Sequence, residues 1–190
     1  MIDIQVFGPT VVTCEIGRVT RSDFGGNKPR QLLELLALEL GSPLSKDALA
    51  ERLWDGRPPS SYTATLESYV CGLRRRLGLT PGRRSPLATS DRGYVLDPQQ
   101  VCVDANRVGA MLQGGCVDVA RALDLASSRL LVDEPYAAWA IQARETFDEL
   151  LAAASARAAA EANAAFYLDN SPADGVAPWK NPLAPKKPHF

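Results

Sequence analysis

Six arginines lie within residues 71–92 of this 190-residue chain, against a single acidic residue, Asp91. Guanidinium groups present several N–H donors in a rigid fork, so a cluster of them can bind phosphate oxygens and read the edges of bases. Residues 103–170 show the opposite balance, with five arginines and ten acidic residues. Because the formal net charge is −1, any surface that binds a polyanion must be local. The six arginines are Arg74, Arg75, Arg76, Arg83, Arg84 and Arg92.

Side chains that could support enzyme chemistry are scarce. The single histidine, His189, lies near the C-terminus, and the four cysteines show none of the short spacings of zinc or redox motifs. The acidic pairs at 133–134 and 148–149 fit a helix start and a solvated helix face better than a catalytic pair. We therefore expect no enzyme activity, no catalytic residues, no cofactor and no metal site. The cysteines are expected to be reduced and mostly buried.

The two ends of the chain predict where the protein is located and how its C-terminal tail behaves. Residues 2–7 alternate apolar and polar side chains, without the basic segment or the long apolar run of a signal peptide or a membrane span. We therefore expect a cytoplasmic protein without membrane contact. Residues 171–190 contain five prolines and the pair Lys186-Lys187, a composition that predicts an extended or disordered tail.

Hydrophobic spacing predicts the elements that must position the arginines. Short strands at 2–7, at 11–16 and near Val19 are separated by glycine turns. Apolar residues then change to helical spacing, and this first helix ends at Gly41. A second helix begins after Ser45, whose hydroxyl is suited to cap it.

The third predicted helix runs from about residue 60 to 77 and carries three of the arginines. Residues 87–96 follow as two β-prone runs around a turn, which predicts a hairpin. This order of elements predicts an α+β winged helix-turn-helix: a small N-terminal antiparallel sheet, three helices and a C-terminal hairpin wing. The apolar stripe of the third helix is Leu66, Val70, Leu73 and Leu77.

That stripe fixes where the other side chains of the third helix point, because each residue advances by about 100° around the axis. Ser68, Cys71 and Arg75 then face directly away from the core, and Thr65 and Arg76 lie on one flank. Small and hydroxyl residues followed by arginines allow a close approach to a DNA groove, hydrogen bonds to base edges and contacts to phosphates.

Arg74 lies on the other flank of the helix, and Arg92 lies near the turn of the hairpin. Together these basic positions favour DNA binding. A solvated basic last turn that complements the helix dipole is the alternative for the helix arginines alone. The predicted DNA-binding residues are Thr65, Ser68, Arg74, Arg75, Arg76 and Arg92.

Beyond a short joint near 97–100 the chain is predicted to be helical, over 104–113, over 116–130 and from residue 134 or 135 to about 168. We expect a winged-helix domain over 1–97, a partial helical domain over 101–170 and a proline-rich tail over 171–190.

In the last helix, Trp139 and Phe147 recur at helical spacing among alanines, which favours close helix packing. We expect an exposed apolar strip between about 147 and 168, including Leu151 and Phe166, that a second copy, the tail or a partner covers. The alternative is that this helix folds back on the winged helix and covers itself.

Several motifs resemble the DNA-binding domain of the Streptomyces antibiotic regulatory protein family, which is similar to the winged helix of OmpR-type response regulators. They are KPRQ at 28–31, LW at 53–54, YVCGLRRRLG at 69–78 and GYVL at 93–96. Residues 103–105 and 130–140, with Arg144, resemble the start of that family's bacterial transcriptional activation domain, which is built of tetratricopeptide-like helices. The match ends early, so the domain is expected to be shortened.

The resemblance implies an activator of transcription whose third helix enters the major groove of double-stranded DNA and whose wing enters the adjacent minor groove. It also implies binding of direct repeats in a promoter by pairs of molecules, recruitment of RNA polymerase, and association with the nucleoid when bound. Related helices often bring long polar or basic side chains to the positions of Cys71 and Gly72, which predicts sparse base reading here. The alternative is a protein-interaction module or an antagonist of a related regulator, with weak or no specific DNA binding.

Overall fold

The computed structural model describes residues 1–82 and 84–169, and within them the chain forms six strands and six helices. Arg83 and the tail predicted over 171–190 lie outside the described residues. In chain order the elements are β1 (Ile2–Gln5), β2 (Val11–Cys14), β3 (Gly17–Val19), α1 (Asn27–Leu38), α2 (Lys46–Leu53), α3 (Tyr62–Arg76), β4 (Leu87–Ser90), β5 (Gly93–Leu96), β6 (Val101–Val103), α4 (Asp104–Met111), α5 (Cys116–Leu125) and α6 (Ala138–Asp169).

The three helices α1, α2 and α3 and the β4–β5 hairpin form the predicted winged helix. All four members of the α3 stripe are buried, and they pack against the leucines of α1. Complete burial of one such leucine contributes about 2 kcal/mol. The Ser45 hydroxyl accepts a hydrogen bond from the Ala48 N–H at 3.1 Å, which confirms the predicted cap of α2.

The N-terminal sheet has the strand order β3-β2-β1-β6, and its fourth strand was missed by the sequence analysis. β6 runs parallel to β1, with Ile2 opposite Val101 and Ile4 opposite Val103. Its three residues are β-prone and alternate in burial, but so short a run next to a predicted joint does not identify a strand by sequence alone. The parallel pairing also makes the sheet mixed, not antiparallel as predicted. Immediately afterwards, the Asp104 carboxylate accepts hydrogen bonds from the backbone N–H groups of the two residues after β1, at 2.9 to 3.1 Å.

The helical half follows the prediction in order but not in its boundaries. α5 ends at Leu125 rather than residue 130, and α6 begins at Ala138 rather than residue 134 or 135. The intervening backbone pairs with the N-terminal sheet instead: the Leu131 N–H donates to the Val6 carbonyl at 2.7 Å, and the Gly8 N–H donates to the Arg129 carbonyl at 2.9 Å. This tertiary pairing overrides the local helical preference of residues 126–130.

The first half of α6 packs on the winged helix and its sheet. The rings of Phe7 and Phe147 meet edge to face, with centroids 5.5 Å apart, and Trp139 is buried. Leu151 is half-buried against the core, so its expected place in an exposed strip is wrong. Phe166 is 63% exposed. No helix in residues 1–82 and 84–169 is both long and apolar enough to cross a membrane.

A buried polar cluster joins α1 to the segment before α6. Arg30, in α1, is 1% exposed; its Nε donates to Glu34 Oε1 at 3.2 Å and its Nη2 contacts Glu134 Oε1. The Thr10 hydroxyl donates to Glu34, and the Gln31 amide donates to Glu134. We call Thr10, Arg30, Glu34 and Glu134 the Arg30 cluster.

Burial raises the pKa of Glu34 to about 7, although the Thr10 hydrogen bond and the Arg30 charge oppose the shift. Because the folded pKa lies above the ordinary value of 4.5, this group's contribution to stability is complete below pH 4.5 and is lost as the pH rises to about 7. Other charges that act on this carboxyl are those of Glu134 and Asp133, and both raise its pKa further.

We expect Glu34→Gln to remove this pH dependence, because the amide is neutral at every pH and can still accept the Thr10 hydrogen bond. Relative to the variant, the unfolding free energy of the wild type should fall by about 3 kcal/mol between pH 4.5 and pH 8. Urea unfolding across this range measures the difference. The exposed α2 residue provides the control, since Glu51→Gln should leave the profile unchanged. Parallel profiles for the wild type and Glu34→Gln would contradict the expectation.

Candidate nucleic-acid interface

The outward face of α3 carries the side chains that the helical spacing predicts. Ser68, Cys71 and Arg75 are exposed, opposite the buried stripe. Thr65 is half-buried, and its hydroxyl donates to the Ser61 carbonyl one turn earlier at 3.0 Å. The hydroxyl oxygen retains lone pairs, so Thr65 remains able to accept a hydrogen bond from outside. Small side chains on this face leave the helix backbone open to close approach.

Arg92 is exposed in the turn of the wing, and its backbone N–H donates to the Ser90 hydroxyl at 3.2 Å. The hydrogen bond orders the turn while the guanidinium extends from it. The roles of Ser68, Arg75 and Arg92 as DNA contacts stay predictions, because the geometry shows only that these side chains are accessible.

The wing is attached to the segment that precedes α2, which the sequence analysis did not predict. The Tyr94 N–H donates to the Leu44 carbonyl at 3.0 Å, and the Leu44 N–H donates to the Tyr94 carbonyl at 2.9 Å. Gly93 has a φ of +132°, and a Cβ at this position would lie 1.9 Å from the Leu44 carbonyl oxygen. The absence of a side chain at Gly93 therefore permits this close approach.

The two other arginines of α3 are half-buried and contact protein groups. The Arg74 Nε and Nη2 donate to the Leu87 carbonyl at 3.0 and 2.7 Å, and Nη2 also donates to the Thr89 hydroxyl at 2.9 Å. The Arg76 guanidinium lies against Gly25 in the turn before α1, where an added Cβ would be 2.2 Å from Nη2. Of the six predicted residues, Arg74 is therefore held by hydrogen bonds to the wing and Arg76 lies beside Gly25, whereas Arg75 and Arg92 are exposed.

Side-chain contacts fix α2 against α3. Lys46 and Glu67 form an ion pair at 2.6 Å between the start of α2 and the face of α3. The Tyr62 hydroxyl donates to Asp47 at 2.6 Å, and Trp54 stacks on the Tyr69 ring with centroids 6.5 Å apart. The ion pair could not be predicted from the sequence, because nothing in the local pattern relates two helices that cross in space.

The described cysteines differ from the expectation of mostly buried thiols. Cys71 is exposed, and Cys14 and Cys102 are half-buried. Cys71 belongs to the outward face of α3, and Cys14 ends a strand near the edge of the sheet. Among residues 1–82 and 84–169, no three His, Cys, Asp or Glu side chains are grouped so that they could hold a metal ion.

Comparison with known proteins shows that α3 and the wing belong to a recognised domain. The family described as transcriptional regulatory protein, C terminal, matches residues 25–96, which include α1, α2, α3 and the wing. The Regulatory protein DnrI of Streptomyces peucetius is 32% identical over 135 residues, which are 67% of this chain and 48% of that protein. The Transcriptional regulator RedD of Streptomyces coelicolor is 28% identical over 68% of this chain and 38% of its own length.

The Transcriptional regulatory protein EmbR of Mycobacterium tuberculosis is 34% identical over 105 residues, 53% of this chain and 26% of that protein. A solved structure of EmbR in complex with a low-affinity phosphopeptide superposes with a TM-score of 0.68 and 28% identity, covering 83% of this chain and 44% of that one. The chain thus spans less than half the length of each of these relatives. Residues 25–96 form an OmpR-type winged helix, and the chain is similar to regulators of the Streptomyces antibiotic regulatory protein family.

Proposed function

We propose that this chain is a sequence-specific regulator of transcription that binds double-stranded DNA through α3 and the wing. The observation that carries the proposal is the exposed face of α3, with Ser68 and Arg75, in a domain that also presents Arg92 on its wing. An α-helix with its side chains is about 10–12 Å wide and fits the major groove. With α3 in the major groove, the wing enters the adjacent minor groove.

The proposed roles of the interface residues are consistent with their exposure. Arg75 donates to a guanine edge, and Ser68 and Thr65 contact bases or phosphates. Arg92 binds the minor groove or a flanking phosphate. Arg76, held against Gly25, contributes positive charge to the field around the helix.

The helical half is the part of the chain that we propose recruits RNA polymerase at a promoter. Recruitment of RNA polymerase would make the protein an activator. Pairs of molecules bind direct repeats head to tail and dimerise only on DNA. α4 packs on α5 and α5 on α6, in support of a tetratricopeptide-like layer over 101–170. Leu150, on α6, is 48% exposed and provides apolar surface for such a contact.

The test uses the full chain, because β6 pairs with β1 and residues 129–131 form hydrogen bonds with the residues that follow β1. A duplex selected by the protein from a randomised pool serves as the probe, and a scrambled duplex serves as the reference. We expect Arg75→Ala to weaken binding to the selected duplex by about 1–3 kcal/mol, with a smaller loss on the scrambled one. Arg92→Ala should weaken both duplexes similarly and reduce the salt slope by about 0.9, the contribution of one phosphate.

Fluorescence anisotropy across a range of salt concentrations measures these quantities. Arg121→Ala, at an exposed position on α5, is the control that removes a charge away from the interface. Equal losses on both duplexes for Arg75→Ala would make Arg75 a phosphate contact. If the wild type shows no preference for the selected duplex, the protein-interaction alternative takes the place of DNA reading.

A further inference from the structure

We infer that Arg74 is a positioning residue, which holds the wing against α3 and thereby determines whether Arg92 reaches DNA. The inference rests on the proposed DNA binding for its functional consequence. Its structural part, the attachment of the wing, can be measured without DNA.

The hydrogen bonds of Arg74 are directed to the free edge of the wing. The Pro86 carbonyl accepts from the Asp97 N–H at 2.9 Å, on the side of the paired strand. Successive carbonyls of a strand point to opposite sides, so that of Leu87 points away from β5. Arg74 donates to this carbonyl through two nitrogens, and the β4 edge facing α3 is thereby paired by a side chain.

The wing depends on such attachments because it is a two-stranded sheet. Two strands alone are marginally stable in water. β5 is fixed to the segment before α2 through Leu44 and Tyr94, and β4 is fixed to α3 through Arg74. The planar guanidinium can reach one carbonyl and one hydroxyl together, and a lysine ammonium has no matching fork. The position of Arg92 relative to α3 therefore depends on the Arg74 side chain.

The guanidinium of Arg74 is also occupied by hydrogen bonds within the protein, whereas the guanidinium of Arg75 is not. Three of its hydrogen bonds go to Leu87 and Thr89, and the side chain is half-buried, whereas Arg75 is exposed. A phosphate contact would have to compete with these bonds. The structure thus favours an action of Arg74 through the wing over a direct contact to DNA.

A double-mutant cycle on the full chain tests this coupling with the selected duplex. We expect Arg74→Ala and Arg92→Ala each to weaken binding by roughly tenfold, and the double variant to remain near tenfold because both remove the same wing contact. Arg74→Ala combined with Arg75→Ala should weaken binding by roughly a hundredfold, since the proposed Arg75 contact to DNA does not pass through the wing and the two residues share no hydrogen-bond partner. Arg74→Lys, which keeps the charge, should behave like Arg74→Ala.

Hydrogen exchange of the DNA-free protein gives the independent measurement. Arg74→Ala should accelerate amide exchange in residues 87–96 and leave α1 protected, whereas Arg75→Ala should leave the wing unchanged. Thr89→Val, which removes one of the three hydrogen bonds, provides a milder variant should Arg74→Ala fold poorly. Unchanged wing exchange in Arg74→Ala, near wild-type binding by Arg74→Lys, or a multiplicative effect with Arg92→Ala would each overturn the inference. Accelerated exchange without specific DNA binding in the wild type would overturn the proposed function only.

Discussion

Gly93→Ala is expected to detach the wing and to weaken binding of the selected duplex by more than tenfold. A Cβ at this position would lie 1.9 Å from the Leu44 carbonyl oxygen, and φ is +132°, which L side chains rarely adopt. The contacting atom belongs to the backbone, so no rotamer change relieves the clash. The two hydrogen bonds between Leu44 and Tyr94 must separate, and we expect a loss of about 3 kcal/mol in unfolding free energy.

A matched control separates the clash from the backbone strain. Gly17 has a φ of +119°, and nothing lies within 4 Å of a Cβ added there. Gly17→Ala therefore introduces comparable strain in the N-terminal sheet without a collision. Urea unfolding and DNA binding should both distinguish the two variants. If Gly93→Ala binds DNA as tightly as Gly17→Ala, the contact with Leu44 does not hold the wing.

Glu134→Ala is expected to destabilise the fold by about 3–5 kcal/mol, because it removes one of two carboxylates that face a buried guanidinium. Arg30 and Glu34 are each at most 1% exposed, so water cannot easily replace the lost partner. The Gln31 amide loses its acceptor as well. The same change should loosen the attachment of residues 129–137 to α1, since the Glu134 carboxylate accepts hydrogen bonds from Arg30 and Gln31 of that helix.

Urea unfolding measures the loss, and hydrogen exchange shows whether residues 129–137 are released before the core opens. Glu145→Ala, at an exposed position on α6, provides the control for removal of a carboxylate from the same region. A loss below 1 kcal/mol, with no change in exchange, would show that Arg30 is adequately solvated without Glu134.

The winged helix and the direction of its outward face could be predicted from the sequence because both depend on local patterns. The buried stripe of α3 has a period of 3.6 residues, which places Ser68 and Arg75 opposite the core without knowledge of any other element. The Ser45 cap and the hairpin at 87–96 are likewise encoded within a few residues. A prediction from a local pattern is correct wherever the tertiary contacts favour the same local structure.

Contacts between distant residues could not be predicted in this way. The parallel pairing of β6 with β1 joins residues about a hundred positions apart, and Glu134 meets Arg30 across 103 intervening positions. The flank positions of Arg74 and Arg76 on α3 could be predicted from the helical spacing. The groups that lie beside them could not, because these groups belong to the wing and to the turn before α1.

The sequence by itself determined which helix presents arginines and which of its faces is free. Tertiary structure decided which of those arginines is accessible, because the groups that bind Arg74 and the turn that lies beside Arg76 come from other elements brought against α3 by burial of the common core. It also decided that residues 126–137 are not helical. Within this segment Arg129 and Leu131 make backbone hydrogen bonds with the residues that follow β1, and Leu130 and Leu131 are buried. A local preference for helix is worth less than those long-range bonds and the burial that accompanies them.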